Sequence, residues 1–99
     1  MCGITGLVNC EDNALLHDMC DLLKHRGPDS DGFFENKNVS LGIRRLSIID
    51  IDGGNQPISN EDGEIWTIFN GEIYNYQSLQ DGLKSKGHKF KTNSDTETI

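Results

Sequence analysis

Apolar positions along this chain change their spacing several times, and each change marks a structural element. Residues 3–8 (GITGLV) form a short apolar run that reads as a buried strand, with Gly3 and Gly6 leaving room for close approach of backbone or ligand. After a polar turn at residues 11–13, Leu15, Leu16, Met19, Cys20, Leu22 and Leu23 recur at helical spacing, with Asp18, Asp21 and Lys24 opposite. This predicts an amphipathic helix. Residues 26–32 (RGPDSDG) are dense in turn formers, and Pro28 pushes its predecessor out of the helical region, so a loop is expected there. Strands come next, a short one opening at Phe33 and Phe34 and a longer one at residues 39–49 (VSLGIRRLSII). Residues 50–57 (DIDGGNQP) read as a loop, and residues 65–69 (IWTIF) as another strand by their β-branched and aromatic content. Asn70-Gly71-Glu72 closes that strand. Residues 74–86 then read as a second helix, with Leu79 and Leu83 inward and Gly87 as its stop. Residues 89–91 suggest a last strand, and residues 95–99 the opening of a further helix with an acidic residue at the positive end of its dipole. Two helices among about five strands, not separated one by one by helices, predict an α+β fold rather than a doubly wound one. The helix begun at residue 95 leads us to expect a truncated unit.

Composition narrows the classes. Ninety-nine residues with 34% hydrophobic content suit one small domain, or part of a larger one, with a modest core. Nine basic against sixteen acidic residues leave a net charge of −7 without a basic stripe, which argues against a nucleic-acid partner. No apolar run approaches the ~20 residues of a membrane helix, and the start of the chain lacks a basic-then-apolar profile; we expect no membrane partner and a cytoplasmic location. Three cysteines, Cys2, Cys10 and Cys20, are an odd number with no C-x-x-C pair, against both a disulfide framework and a structural zinc site. His17 and Cys20 sit one helical turn apart and His25 follows, a pattern that reads as ordinary helix surface, so no metal is expected. No G-x-x-x-x-G-K-[ST] loop is present, and Lys84-Ser85 lacks the glycine that should precede it.

Three places could carry chemistry. Removal of Met1 would make Cys2 an N-terminal residue holding a thiol and a free amine, a nucleophile with a built-in base, because the amine titrates near ~7.7 to 8.0 and can accept the thiol proton. Along residues 39–45, side chains alternate faces, so Val39, Leu41, Ile43 and Arg45 share one face while Ser40, Gly42 and Arg44 share the other. Arg45 thus extends an apolar row, where an unpaired guanidinium costs several kcal/mol on the order of buried-ion penalties. An internal salt bridge to Asp50 or Asp52, a bulge that turns Arg45 outward, and a ligand carboxylate gripped by its planar fork all answer that cost. Asn70 and Gly71 offer a side-chain amide and an unshielded backbone N–H that could converge as an oxyanion hole, although N-G is also a common turn signal.

Taken together, Met1-Cys2-Gly3-Ile4, Arg26-Gly27-Pro28-Asp29, Arg45-Leu46-Ser47-Ile48-Ile49-Asp50, Gln56-Pro57, Asn70-Gly71-Glu72-Ile73-Tyr74-Asn75 and Ser94-Asp95-Thr96-Glu97 resemble, in this order, the N-terminal glutaminase domain of glutamine-hydrolysing asparagine synthetases. These are class II, N-terminal-nucleophile amidotransferases. The resemblance covers essentially the whole chain. It implies a four-layer αββα sandwich, of which residues 1–99 would form about the N-terminal half, with an ATP-dependent synthetase domain beyond it. It implies Cys2 as the nucleophile, with Asn70 and Gly71 holding the oxyanion. Glutamine, the implied substrate, would meet Arg45 through its α-carboxylate, Glu72 and Asp95 through its α-ammonium, and the backbone of Leu46, Ile48 and Ile49. Arg26 would support the site through its loop without a chemical step. No cofactor is implied for these residues; ATP and Mg would belong to the synthetase domain, whose product would be asparagine, and the family leaves room for a homodimer. Many relatives carry a histidine where this chain has Ile43, which changes the pocket wall and removes no catalytic group. A synthetase of antibiotic or surface-sugar metabolism built on the same plan, and a non-catalytic regulatory module, are the alternatives.

Overall fold

The computed structural model describes residues 1–46 and 54–99. Strand β1 (Gly3–Val8) lies antiparallel to β3 (Val39–Arg45), and β3 lies antiparallel to β2 (Ser30–Phe34), giving the sheet order β1-β3-β2. The register places Gly3 opposite Arg44 and Val8 opposite Val39, and on the other side Ser30 opposite Arg45 and Phe34 opposite Leu41. Helix α1 (Asn13–Asp21) packs across β1 and β3. A second, two-stranded sheet pairs β4 (Ile58–Ser59) with β5 (Trp66–Thr67), and Phe34 stacks on Trp66 with ring centroids 4.8 Å apart. Helix α2 (Tyr76–Ser85) follows and packs on a 3₁₀ turn at Asp95–Thr98. Leu16, Cys20 and Ile43 are fully buried. No helix among the described residues is long and apolar enough to cross a membrane. The result is a mixed α/β globule, in agreement with the strand and helix content expected from the residue pattern.

Local chemistry explains where the elements depart from that expectation. Helix α1 begins earlier than the apolar spacing indicates because Asp12 caps it, its Oδ1 accepting the Leu15 N–H at 2.9 Å. It also ends earlier: Leu23, Lys24 and Arg26 donate to carbonyls three residues back, so tight turns replace the helix before Pro28. Leu16 and Cys20 face inward while Leu22 is exposed, so the apolar stripe is narrower than it reads. Strand β2 reaches back to Ser30, into the expected loop, because Arg44 pairs across the ladder with Asp31 at 3.0 Å and the Asp29 N–H donates to the Arg45 carbonyl at 3.0 Å.

The strand expected at residues 65–69 shrinks to Trp66–Thr67, with Ile65 exposed rather than buried. Its ladder stops because the Phe69 N–H is taken by the Gln56 side chain at 2.7 Å. The strand expected at residues 89–91 is absent for a similar reason: the Glu97 carboxylate accepts both the Lys91 and the Thr92 N–H at 2.8 Å. Helix α2 stops at Gly87 as anticipated, in a Schellman motif with φ +97°, where His88 donates to Leu83 and Gly87 to Lys84. Its buried residue, however, is Gln80, donating to the Ser94 carbonyl at 3.1 Å, whereas Leu79 is largely exposed. The helix packs on a loop of polar backbone, which an amide satisfies and a leucine does not. His88 and Glu61 approach to 2.9 Å, and that hydrogen bond holds the exposed Glu61 carboxyl below its usual range. Of the strand expected at residues 39–49, the part through Arg45 is observed, and residues 47–49 lie outside the described residues, as do residues 50–53 of the loop expected at 50–57.

Arg44 is the internal anchor of the first sheet. Its Nε donates to the Gly27 carbonyl at 2.9 Å and its terminal nitrogens to Asp31 and the Pro28 carbonyl at 3.0 and 3.3 Å. The 26–29 loop therefore lies flat against β3. Gly27 is required there because a Cβ would fall on the backbone of Arg44 and Arg45. Gly27→Ala is thus expected to destabilise the fold by about 1–3 kcal/mol or more. Gly82→Ala, in the middle of α2 with open space around it, is expected to stabilise by roughly 0.5–1 kcal/mol. Urea midpoints of the two variants check both signs.

The cysteines differ sharply in environment: Cys10 is exposed and Cys20 fully buried, where desolvation and then the Asp31 charge push its thiol up. A maleimide at neutral pH is expected to label Cys10 at once and Cys20 only after urea unfolds the chain. Equal labelling rates would mean that α1 does not seal the sheet as described.

Candidate active site

Cys2 sits where β1 begins, and three contacts fix it. Arg26 Nε donates to the Cys2 carbonyl at 3.0 Å, the Leu46 N–H reaches Sγ at 3.4 Å, and the Sγ thiol faces the Leu46 carbonyl at 3.7 Å. Leu46 thus holds the sulfur through its backbone, while its side chain is exposed. Arg26 acts on Cys2 directly, a closer role than support through its loop.

Beside the sulfur opens a cavity of about 370 Å³, within the roughly 300–1,000 Å³ typical of small-molecule sites. Its wall brings together Cys2, Arg45 and Leu46 from the first sheet and Asn70, Gly71 and Glu72 from the segment after β5. Asp95 joins them from the 3₁₀ turn, and Met1 lies at the rim. Seven of the residues singled out in the sequence therefore meet in one place. Ile48 and Ile49 lie outside the described residues.

Arg45 is 5% exposed and holds its regular register opposite Ser30, so no bulge turns it outward. Among the described residues its fork is underused: Nη1 reaches Asn55 Oδ1 at 3.4 Å, and Nε is buried without a hydrogen-bond partner. Among the described residues no carboxylate lies at ion-pair distance from it; Asp50 and Asp52, the alternative internal partners, fall outside them. A cavity wall with a desolvated cation and a spare donor is suited to an anionic ligand.

Opposite polarity comes from Asp95, which is 5% exposed and fixed by accepting the Ile73 N–H at 2.9 Å. Ser94 caps its turn, Oγ accepting the Thr96 N–H at 3.2 Å. Glu72 is exposed at the rim. Gly71 lies against the Phe69 ring, where a Cβ would come within 2.7 Å of it, so the backbone here stays bare. A thiol, a buried guanidinium, an amide side chain with a neighbouring bare N–H, and two carboxylates around one cavity can bind a zwitterionic amino acid and present its side chain to sulfur.

The wall also contains Gln56, Phe69, Tyr74, Ser94 and Thr96, none of which was assigned a site role from the sequence. For all but Phe69, which directly precedes Asn70, the signal was a position inside the quoted motifs: Gln56 precedes Pro57, Tyr74 follows Glu72 by two, and Ser94 and Thr96 flank Asp95. His17 and Cys20 diverge, Cys20 into the core and His17 onto Phe33, where the rings stack at 3.8 Å.

The chain is similar to known proteins along its whole length. A model of the glutamine amidotransferase domain matches residues 1–99. Asparagine synthetase [glutamine-hydrolyzing] 1 of Bacillus subtilis (strain 168) is 48% identical over 106 residues, covering 100% of this chain and 17% of that protein. Asparagine synthetase [glutamine-hydrolyzing] of Brassica oleracea is 43% identical over 104 residues, again 100% and 17%, and asparagine synthetase [glutamine-hydrolyzing] 1 of Arabidopsis thaliana is 41% identical over 104 residues, 100% and 18%. The chain spans about a sixth of the length of these curated relatives. A match that runs from Met1 to Ile99, with such relatives across the same span, establishes that the chain belongs to the glutamine amidotransferase domain family.

Proposed function

We propose that this domain hydrolyses the side-chain amide of glutamine to glutamate and ammonia, the ammonia serving ATP-dependent amidation of aspartate to asparagine in a longer protein. The observation that carries the reading is the cavity that gathers Cys2, Arg45, Asn70, Gly71, Glu72 and Asp95. The relatives' names, all glutamine-hydrolysing asparagine synthetases, favour aspartate as the acceptor.

Glutamine would lie with its α-carboxylate on the spare donors of Arg45 and its α-ammonium between Glu72 and Asp95. The side-chain amide would then reach Cys2. With Met1 attached, the Cys2 nitrogen is an amide and cannot act as a base; with Met1 removed, the free amine takes the thiol proton as Sγ attacks the amide carbon. The developing oxyanion would be held by the Asn70 side chain and the Gly71 N–H. The protonated amine gives its proton to the leaving nitrogen, ammonia departs, and a thioester forms between Sγ and the glutamyl carbon. Water, deprotonated by the same amine, attacks that carbon, releasing glutamate and restoring the thiol. Ile48 and Ile49 would complete the pocket through their backbone.

In this reading residues 1–99 form about the N-terminal half of a four-layer αββα glutaminase domain, followed by a synthetase domain. Lys84-Ser85 lies in the last turn of α2 without a glycine loop before it, so it does not form a phosphate-binding loop, and in this reading ATP and Mg belong to the synthetase domain. A cytoplasmic location and a homodimer fit this assignment.

The test is the intact mass of the protein after incubation with a glutamine-like diazo-ketone. An adduct is expected on Met1-free chains only, and none on Cys2→Ala; an adduct that persists in Cys2→Ala, or Met1-free chains that never react, would sink the reading. For Asn70→Ala, kcat for glutamine hydrolysis is expected to fall by roughly 10²–10³, with the KM much less changed. Steady-state ammonia release measures that split.

A further inference from the structure

Gln56 is 8% exposed, lies in the cavity wall and uses both ends of its amide. Its Oε1 accepts the Phe69 N–H at 2.7 Å, and its Nε2 donates to Thr96 Oγ1 at 3.0 Å. The orientation follows from chemistry, since a main-chain N–H only donates and must face the oxygen. Phe69 immediately precedes Asn70, and Thr96 immediately follows Asp95. The Asp95 carboxylate in turn accepts the Ile73 N–H at 2.9 Å, so a closed circuit runs from Gln56 through Phe69, along the chain to Ile73, across to Asp95 and Thr96, and back. The circuit encloses Asn70, Gly71 and Glu72. It packs against the first sheet on the other side, where Gly32 lies so close to the Gln56 carbonyl that a Cβ there would overlap it.

We propose that Gln56 is a positioning residue that sets the distance between the arm at residues 70–72, which carries the oxyanion donors Asn70 and Gly71, and the ammonium-binding carboxylate of Asp95 on the 3₁₀ turn. This rests on the glutamine reading above. Without the amide, the Ile73–Asp95 bond remains, but among the described residues no other side-chain hydrogen bond bridges Phe69 to Thr96. The reacting carbon and the α-ammonium of one ligand could then no longer satisfy both arms at once, and a displacement of about 1 Å is enough to cost a reaction up to about 10²-fold. Gln56 touches neither the sulfur nor, in this reading, the substrate's reacting atoms.

The experiment uses the longest native form of the protein, with Met1 removed, and two diazo-ketones that differ only in the α-amino group. Second-order rate constants for Cys2 labelling are compared as a ratio, amine-bearing over amine-free. A loss of folded protein lowers labelled yield for both reagents and leaves the ratio alone. In the native protein the ratio should be large. In Gln56→Met, which keeps the volume and removes both hydrogen bonds, it should fall about 10- to 100-fold. Thr96→Val, cutting the same circuit from its other end, should move it in the same direction, and the double variant should go no further than Gln56→Met. An unchanged ratio in both single variants overturns the role of Gln56 while leaving the glutamine reading intact. A native protein that neither reagent labels at Cys2, or that labels without preference for the amine, overturns that reading and the positioning role with it.

Discussion

Arg44 holds the loop at residues 26–29 against the sheet, and most of the site's geometry follows from that attachment. Its guanidinium makes charge-assisted bonds to two loop carbonyls and to Asp31, so a cation buried to 6% exposure is fully engaged within the fold. With the loop pressed flat, Arg26 reaches the Cys2 carbonyl, and Asp29 extends the pairing of β2 to the carbonyl of Arg45. Truncating Arg44 would leave these carbonyls and a partly screened carboxylate unpaired, the situation in which buried ionic contacts cost most.

Its neighbour Arg45 presents the opposite case. Consecutive residues on a strand face opposite sides of the sheet, so one peptide bond separates a guanidinium consumed by structure from one left with a spare donor. The two sides of β3 thus divide the labour: the α1 side ties the chain together, and the other side opens onto the cavity.

How much of this was readable beforehand depended on whether the signal was local. Strands β1 and β3 and helix α1 have periodic apolar positions, and alternation along β3 placed Arg45 on the face of the buried Ile43, although Arg44 on the opposite face is as buried. Cys2, Arg45, Leu46, Asn70, Gly71, Glu72 and Asp95 came from short motifs, and the cavity collects them. The failures have a common cause. Phe69, Lys91 and Thr92 give their N–H groups to side chains rather than to a ladder, so β-prone composition does not become strand. Ile58–Ser59 is too short for any period to register. Gln56 sits among glycine and asparagine, and its partners are 13 and 40 residues away, a separation that no local pattern encodes.

The clasp on Cys2 has one more consequence. Among the described residues, the side-chain hydrogen bonds that place Cys2 go through its carbonyl or its sulfur, and Met1 is 72% exposed. Under the proposed mechanism the chain bearing Met1 is a precursor whose described site residues already surround the cavity, and its activation is a change of one nitrogen from amide to amine at a residue boundary open to solvent.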